Sequence, residues 1–257
     1  MRYRRGSICI SDDLDLPLLR TVHRAGHATF PQLYESIHFV KSKNLWDNLS
    51  WRVRRLVAHS LLEQTNVPGV NGLVLSLGGD GELYLQSREL FLVEQSNRAR
   101  GTTKRHQIWH DVDLFGIQLA LRRAGVIQMW QSEAEVRATN DFTTNHYAKD
   151  YDAVVTFVSG NKKGTIALEY ERTPKWSKEY QRISAELQRE TQVSVFLYLV
   201  PNIELRSLLL HALANTRRRV LIGIASRFAR DPHHAPLIDA RTHLSCTLPD
   251  CLTETDS

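Results

Sequence analysis

The sequence predicts a mixed α/β protein of two domains, and three observations carry that prediction. Apolar residues recur at helical spacing in several stretches, among them Trp176, Tyr180, Ile183 and Leu187. Elsewhere they form short β-branched or continuous runs bounded by turn residues, such as 153–157 and 193–200, which is how strands read. Between the halves, Asn97-Arg98-Ala99-Arg100-Gly101-Thr102-Thr103-Lys104-Arg105 is polar, basic and aperiodic, as a linker would be. At 257 residues there is room for two cores, and 42% hydrophobic with 24% charged residues suits a globular chain. The expected division is a first domain over 1–96, a linker over 97–105, a second domain over 106–230 and a flexible tail over 231–257.

Residues 1–14 read as a basic lead-in. Leu14 to Ala25 then places Leu18, Leu19, Val22 and Ala25 on one helical side and stops at Gly26, a suitable C-cap. Thr29 can cap a second helix with Pro31 in its first turn and Leu33, Tyr34, Ile37 and Phe39 as its apolar side. Ser50 can cap a third, Trp51 to Gln64, whose apolar stripe is Val53, Leu56, Val57 and Leu61. Opposite that stripe lie Arg52, Arg55 and His59, with Arg54 alongside. Gly72 to Leu77, the turn Gly78-Gly79-Asp80-Gly81 and Glu82 to Leu85 read as a β-hairpin. Arg88 to Gln95 reads as a closing helix. Three helices followed by a hairpin is the order of a winged helix-turn-helix. In such domains the third helix enters the major groove, where arginine suits paired contacts to guanine. Ser50, Arg52, Arg54, Arg55 and His59 are therefore the expected contacts to double-stranded DNA. A solvated basic face, or a winged helix used for protein contacts, is the plainer alternative.

Charge agrees with a polyanionic partner without demanding one. Lys and Arg number 33 against 28 Asp and Glu, a formal net charge of +5, with a pI near 9.2. No apolar run reaches the length of a membrane span, and no apolar segment follows the basic start Met1-Arg2-Tyr3-Arg4-Arg5. The expectation is a cytoplasmic protein with no membrane partner. Cys9, Cys246 and Cys251 make an odd set, and with His243 they match no standard zinc spacing, so reduced thiols of no special role are expected. Phosphate-binding loops, a Gly-x-Gly-x-x-Gly fingerprint and a Gly-x-Ser-x-Gly elbow are all absent from the sequence.

In the second half, Ile108, Val112, Phe115, Leu119 and Leu121 mark a helix from His106 to Ala124, stopped at Gly125. Val126 to Trp130 is a first strand, with Glu133 and Glu135 following at strand-like spacing, and Asp141 to Lys149 reads as polar loop. Val154, Val155 and Phe157 mark a second strand, 159–164 a turn, and Thr165 to Tyr170 a third. Alternation sends Ile166, Leu168 and Tyr170 one way and Ala167, Glu169 and Glu171 the other. Two carboxylates then leave one face, and Asp152 can meet them from the neighbouring strand. Carboxylates this close repel, which raises their pKa values or calls for a hard cation such as Mg²⁺ or Mn²⁺. Solvent-facing acids of an edge strand are the alternative. A helix carrying the Trp176 to Leu187 stripe, a buried strand over 193–200 ended by Pro201, a helix over 203–214 and a strand over 220–224 complete the order. Beyond Asp231 periodicity is lost.

An aspartate ahead of a hairpin, an apolar strand ending Glu169-Tyr170-Glu171, and a Lys/Arg-bearing helix together resemble the core of the PD-(D/E)XK nucleases. The run Tyr151-Asp152-Ala153-Val154-Val155-Thr156-Phe157, with Ile166 to Thr173 and Glu179-Tyr180, is similar to the plasmid replication-relaxation family, over roughly residues 15–225. That resemblance implies an N-terminal winged helix-turn-helix fused to a PD-(D/E)XK-like αβββαβ domain. It implies Asp152, Glu169 and Glu171 as holders of Mg²⁺ or Mn²⁺, with Glu133 or Glu135 as further recruits. Glu171 stands where that pattern has its lysine, so Lys175 or Lys178 would complete a catalytic set of Asp152, Glu169, Glu171 and Lys175. The implied function is a DNA-binding protein of a plasmid or integrated mobile element, in replication control or conjugative mobilisation, with a degenerate nuclease-like domain. An active Mg²⁺-dependent endodeoxyribonuclease is the alternative. Relaxosome or replication proteins, and a second copy in a homodimer, are the partners it implies besides duplex DNA.

Overall fold

The computed structural model describes residues 9–37, 45–88, 105–144 and 146–254. The chain divides into two units, Met1–Phe115 and Gly116–Ser257. The expected linker, apart from Arg105, and the expected helix beyond Arg88 lie outside the described residues, as do the basic residues Arg2 to Arg5.

The first unit holds α1 (Asp15–Ala25), β1 (His27–Thr29), α2 (Phe30–Ile37), α3 (Leu45–Ala58), β2 (Leu62–Asn66), β3 (Leu73–Leu77) and α4 (Gly79–Arg88). It ends within α5 (Arg105–Arg123). The strands form an antiparallel sheet in the order β1-β3-β2. Leu18, Leu19, Leu33, Leu56, Leu62, Leu75 and Leu85 are fully buried and make its core.

Two expectations are corrected in this unit. The third helix begins earlier and stops earlier than its apolar stripe suggested, so Ser50 is inside it rather than at its cap. The helix ends because Ser60 takes a left-handed φ of 55° and Leu61 N–H reaches back to Leu56 O, releasing 62–66 to extend as a strand. The hairpin is β2 with β3, and the stretch read as its second strand is α4. Glycines that resembled a turn serve close approach instead. A Cβ on Gly78 would lie 2.1 Å from Ser60 O, and one on Gly81 the same distance from Leu61 O. Asp80 and Glu82 then fall in the first turn of α4, where carboxylates favour the helix dipole.

The second unit continues with β4 (Ile127–Ser132), α6 (Glu133–Phe142), β5 (Ala153–Ser159), β6 (Lys162–Tyr170), α7 (Ser177–Arg189), β7 (Val195–Val200), α8 (Ile203–Leu213), β8 (Arg219–Ile224) and α9 (Ala225–Arg230). Short strands β9 (Leu237–Asp239), β10 (Ser245–Cys246) and β11 (Thr253–Glu254) follow, with a 3-10 turn at Leu248–Cys251. One sheet runs β10-β9-β8-β7-β6-β5-β4, parallel across β6, β7 and β8 and antiparallel elsewhere. Gly160, at φ 59°, lets β5 and β6 turn through two residues. The continuous apolar run of β7 sits mid-sheet, as strands buried on both faces require. α7 and α8 lay Tyr180, Ile183, Leu187, Leu205, Leu209 and Leu213 on one sheet face, against Val154, Ala167, Phe196 and Ile222.

Three further expectations change here. Glu133 and Glu135 open α6 rather than prolong a strand, because Ser132 caps it and Glu135 closes the capping box by accepting from Ser132 N–H at 2.8 Å. Trp176 is 83% exposed instead of core. Its position at the N-cap of α7 lies outside the helical turns that face the sheet, although it continues their spacing. The expected flexible tail is built into the sheet from Leu237 onwards, with Leu237, Ala240, Leu248 and Leu252 buried. Two- and three-residue strands are too short to show a period, so this order was invisible in sequence. Among the described residues no helix is long and apolar enough to cross a membrane.

Candidate functional site

Antiparallel pairing of β5 with β6 sets Ala153 opposite Leu168 and Val154 opposite Ala167, so the next pair in register is Asp152 with Glu169. The alternation read from sequence thus places Asp152, Glu169 and Glu171 on the face that α7 covers. Glu169 is 8% exposed and Glu171 5%, which excludes solvent-facing edge acids. Asp152 Oδ2 accepts from Tyr170 N–H at 2.6 Å, tying the two strand ends together.

Two lysines enter the same pocket. Lys149 Nζ lies 2.7 Å from Glu169 Oε1, and Lys175 Nζ pairs with Glu171 Oε2. Lys175 is held by its backbone N–H, which donates to Tyr180 OH at 3.0 Å. Lys178, the other lysine offered for this role, is exposed on α7. Lys149 was missed in sequence because it falls in a stretch with no pattern. Its place is fixed from below by Glu190, wholly buried, whose Oε2 accepts from Ala148 N–H at 2.8 Å and from Tyr151 OH at 2.9 Å.

The electrostatics follow from this crowding. Burial pushes the Glu169 carboxyl up to about 7, Lys149 offsetting part of the rise and Asp152 adding to it. Burial likewise raises Glu171, and Lys175 only partly restores it. Burial works to lower the Lys149 ammonium, but Glu169, with Asp152 and Glu186 behind it, holds it above its ordinary value. Tyr198, paired in register with Glu169, is buried, and its hydroxyl has no hydrogen-bond partner among the described residues. Glu169 Oε1 also lacks an aligned hydrogen bond despite its near lysine.

The expected cation set is met only in part. Hard oxygen donors share a face, yet two of the three carry a lysine. Among the described residues no group of three or more His, Cys, Asp or Glu is arranged to hold a metal ion. Glu133 and Glu135 are occupied elsewhere, with Arg137 and with Ser132.

The basic helix of the first unit is also altered by its surroundings. Asp15, wholly buried at the start of α1, receives Arg52 Nη1 at 2.9 Å, Arg55 Nη2, and the backbone N–H of Ser11 at 2.8 Å. Arg52 and Arg55 are thus half-buried and committed within the unit. Arg54 is exposed, its Nε 3.4 Å from Ser50 O. Trp51, 54% exposed, carries the Arg55 guanidinium 4.8 Å over its ring. His59 lines a cleft with Leu61, Tyr84 and Arg88. Of the five expected DNA contacts, Arg54 is the one in open solvent. Comparison of the chain with family models, with curated proteins and with solved structures gives no match in any of the three.

Proposed function

We propose that this chain is a DNA-binding protein of a plasmid or integrated mobile element, acting in replication control or conjugative mobilisation. On this reading the first unit is a winged helix-turn-helix, and the second is a PD-(D/E)XK-like domain kept as a non-catalytic scaffold. The observation that carries it is the pairing of Glu169 with Lys149 and of Glu171 with Lys175, which neutralises two of the three pocket carboxylates from within the chain. The order α1-β1-α2-α3-β2-β3, with its three-stranded antiparallel sheet, supports the winged-helix assignment. Arg54, with Trp51 beside it, is the exposed contact on α3; Arg52 and Arg55 brace that helix against α1.

A second reading, an Mg²⁺-dependent endodeoxyribonuclease with Asp152 and Glu169 as the ion's ligands, is favoured by one observation. Tyr198 OH and Glu169 Oε1 remain without aligned partners in the same pocket. One experiment separates the two. Full-length protein is incubated with supercoiled and linear DNA in Mg²⁺, in Mn²⁺ and in EDTA, and binding and cleavage are read together. Duplex binding that weakens as salt rises, with Arg54→Ala reducing affinity and the salt dependence, and with no cleavage, supports the scaffold reading. Metal-dependent cleavage lost in Asp152→Asn and Glu169→Gln supports the nuclease. Unchanged affinity in Arg54→Ala removes α3 as the DNA face.

A further inference from the structure

Outside the carboxylate pocket, two of the three cysteines lie side by side. Cys246 ends β10, and Cys251 closes the 3-10 turn that follows, which brings their sulfurs to 3.7 Å. The turn is fixed by its own cap: Asp250 Oδ2 accepts from both Thr247 N–H and Thr247 Oγ1–H at 2.8 Å. Cys251 Sγ lies 3.2 Å from Thr247 O, so its proton is directed either there or to Cys246. Both thiols are half-buried rather than sealed in the core, while Cys9, in the other unit, is exposed. On either side of this turn the chain pairs with the sheet. β10 pairs with β9, and β11 pairs with Lys162 and Lys163 at the start of β6. Leu252 covers Gly164, where a Cβ would come within 3.0 Å of its side chain.

We propose that Cys246 and Cys251 are a peroxide-reactive dithiol, closing to a disulfide that fixes the β10–β11 segment on the sheet. The sulfurs need to approach from 3.7 Å to about 2.05 Å, a shift that side-chain rotation and a slight closing of the turn supply. Cys246 is the attacking sulfur. Its pKa is held down to about 7, first by the hydrogen bond from Cys251 and then by the Arg219 guanidinium, against burial and the Asp250 carboxylate. Cys251 is pushed up by Cys246 and by burial, and so keeps its proton until it is needed. In the first step the Cys246 thiolate attacks one peroxide oxygen; the O–O bond breaks and the other oxygen leaves as hydroxide, giving a sulfenic acid. In the second, Cys251 sulfur attacks Cys246 sulfur, the S–O bond breaks, and the Cys251 proton leaves with that oxygen as water. Two thiols and one hydrogen peroxide become one disulfide and two waters. A thiol reductant reverses it.

The test uses reduced full-length protein and one equivalent of hydrogen peroxide. Titratable thiols, counted after unfolding, should fall from three to the single Cys9. The tryptic peptide 242–257, which contains both partners, should be lighter by two hydrogens, and dithiothreitol should restore it. Exposed Cys9 serves as the internal reference: the pair should be consumed first, with a rate that levels off above about pH 7. Cys251→Ser should leave a Cys246 sulfenic acid that dimedone labels. Amide exchange over Thr253 and Glu254 should slow on oxidation. Cys9 consumed ahead of the pair, or three thiols surviving, overturns the proposal in the wild-type protein itself, whatever the variant does. A disulfide that leaves exchange over β11 unchanged overturns its fixing role.

Discussion

Each unit buries carboxylates and neutralises them with its own cations, but the two clusters are finished differently. In the first, Asp15 stands alone between Arg52, Arg55 and the Ser11 N–H, so both its oxygens are taken by directed donors. In the second, Glu169 faces Lys149 and Glu171 faces Lys175, each carboxylate met by an ammonium rather than a guanidinium. A guanidinium presents a rigid fork of donors that fits a carboxylate; an ammonium is a compact charge that satisfies one oxygen and leaves others over. Both Asp15 oxygens are therefore satisfied, and the cluster serves to hold α1 against α3. The carboxylate pocket keeps a raised Glu169 pKa, and among the described residues Glu169 Oε1 and the Tyr198 hydroxyl have no aligned hydrogen-bond partner.

If the Asp15 cluster is a brace, removing its cations gives the largest effect. Arg52→Ala with Arg55→Ala leaves a buried carboxylate without a counter-charge and should cost about 3–5 kcal/mol in chemical denaturation. A loss of ~0.5 kcal/mol, as for a surface change, would mean that Asp15 is not a brace between α1 and α3. That cost also means that these two arginines cannot report DNA contact cleanly, and Arg54 is the residue to vary.

Next in size is a pair of substitutions on the segment that roofs the carboxylate pocket. Leu187→Ala opens a cavity under α7 and should cost about 2–5 kcal/mol. Trp176→Ala, one turn before that helix meets the sheet and 83% exposed, should change stability by no more than about 0.5 kcal/mol. Thermal melts showing equal losses would mean that Trp176 packs as its spacing first suggested.

The third test is in pH. Glu169 in the folded chain titrates near 7 against 4.5 for the free group, so the folded state holds a proton that the unfolded state has released. Its contribution is complete below pH 4.5 and is lost as pH rises through 7. Urea unfolding across that window should show wild type falling relative to Glu169→Gln, while Lys149, Lys175, Asp152 and Glu171 remain around the site. Parallel profiles for the two proteins would place that proton elsewhere.

Much of the second unit was legible because long periodic or continuous patterns define it. The alternation through Ile166 to Glu171 gave the carboxylate face, and one step of register brought in Asp152. What escaped detection has physical reasons. Lys149 and Glu190 come from stretches with no period, and Glu190 reaches Ala148 and Tyr151 only across the fold. Tyr198 hides within an apolar run, where its hydroxyl gives no signal. Gly78 to Gly81 read as a turn because close backbone approach and turn geometry ask for the same residue. Arg52 and Arg55 looked free because their partner, Asp15, lies on a different helix, and Cys246 with Cys251 became a pair only through a turn too short to predict.

The central claim, that lysines of the chain occupy the place a cation would take, is tested most directly by the melting temperature with and without millimolar Mn²⁺. An ion that binds only the folded state must raise it by mass action. No rise is expected in the wild-type protein, and a rise is expected once Lys149 and Lys175 are both replaced by methionine. A rise in the wild type that disappears in Asp152→Asn and Glu169→Gln would contradict it, and would identify the pocket as a metal site in its own right.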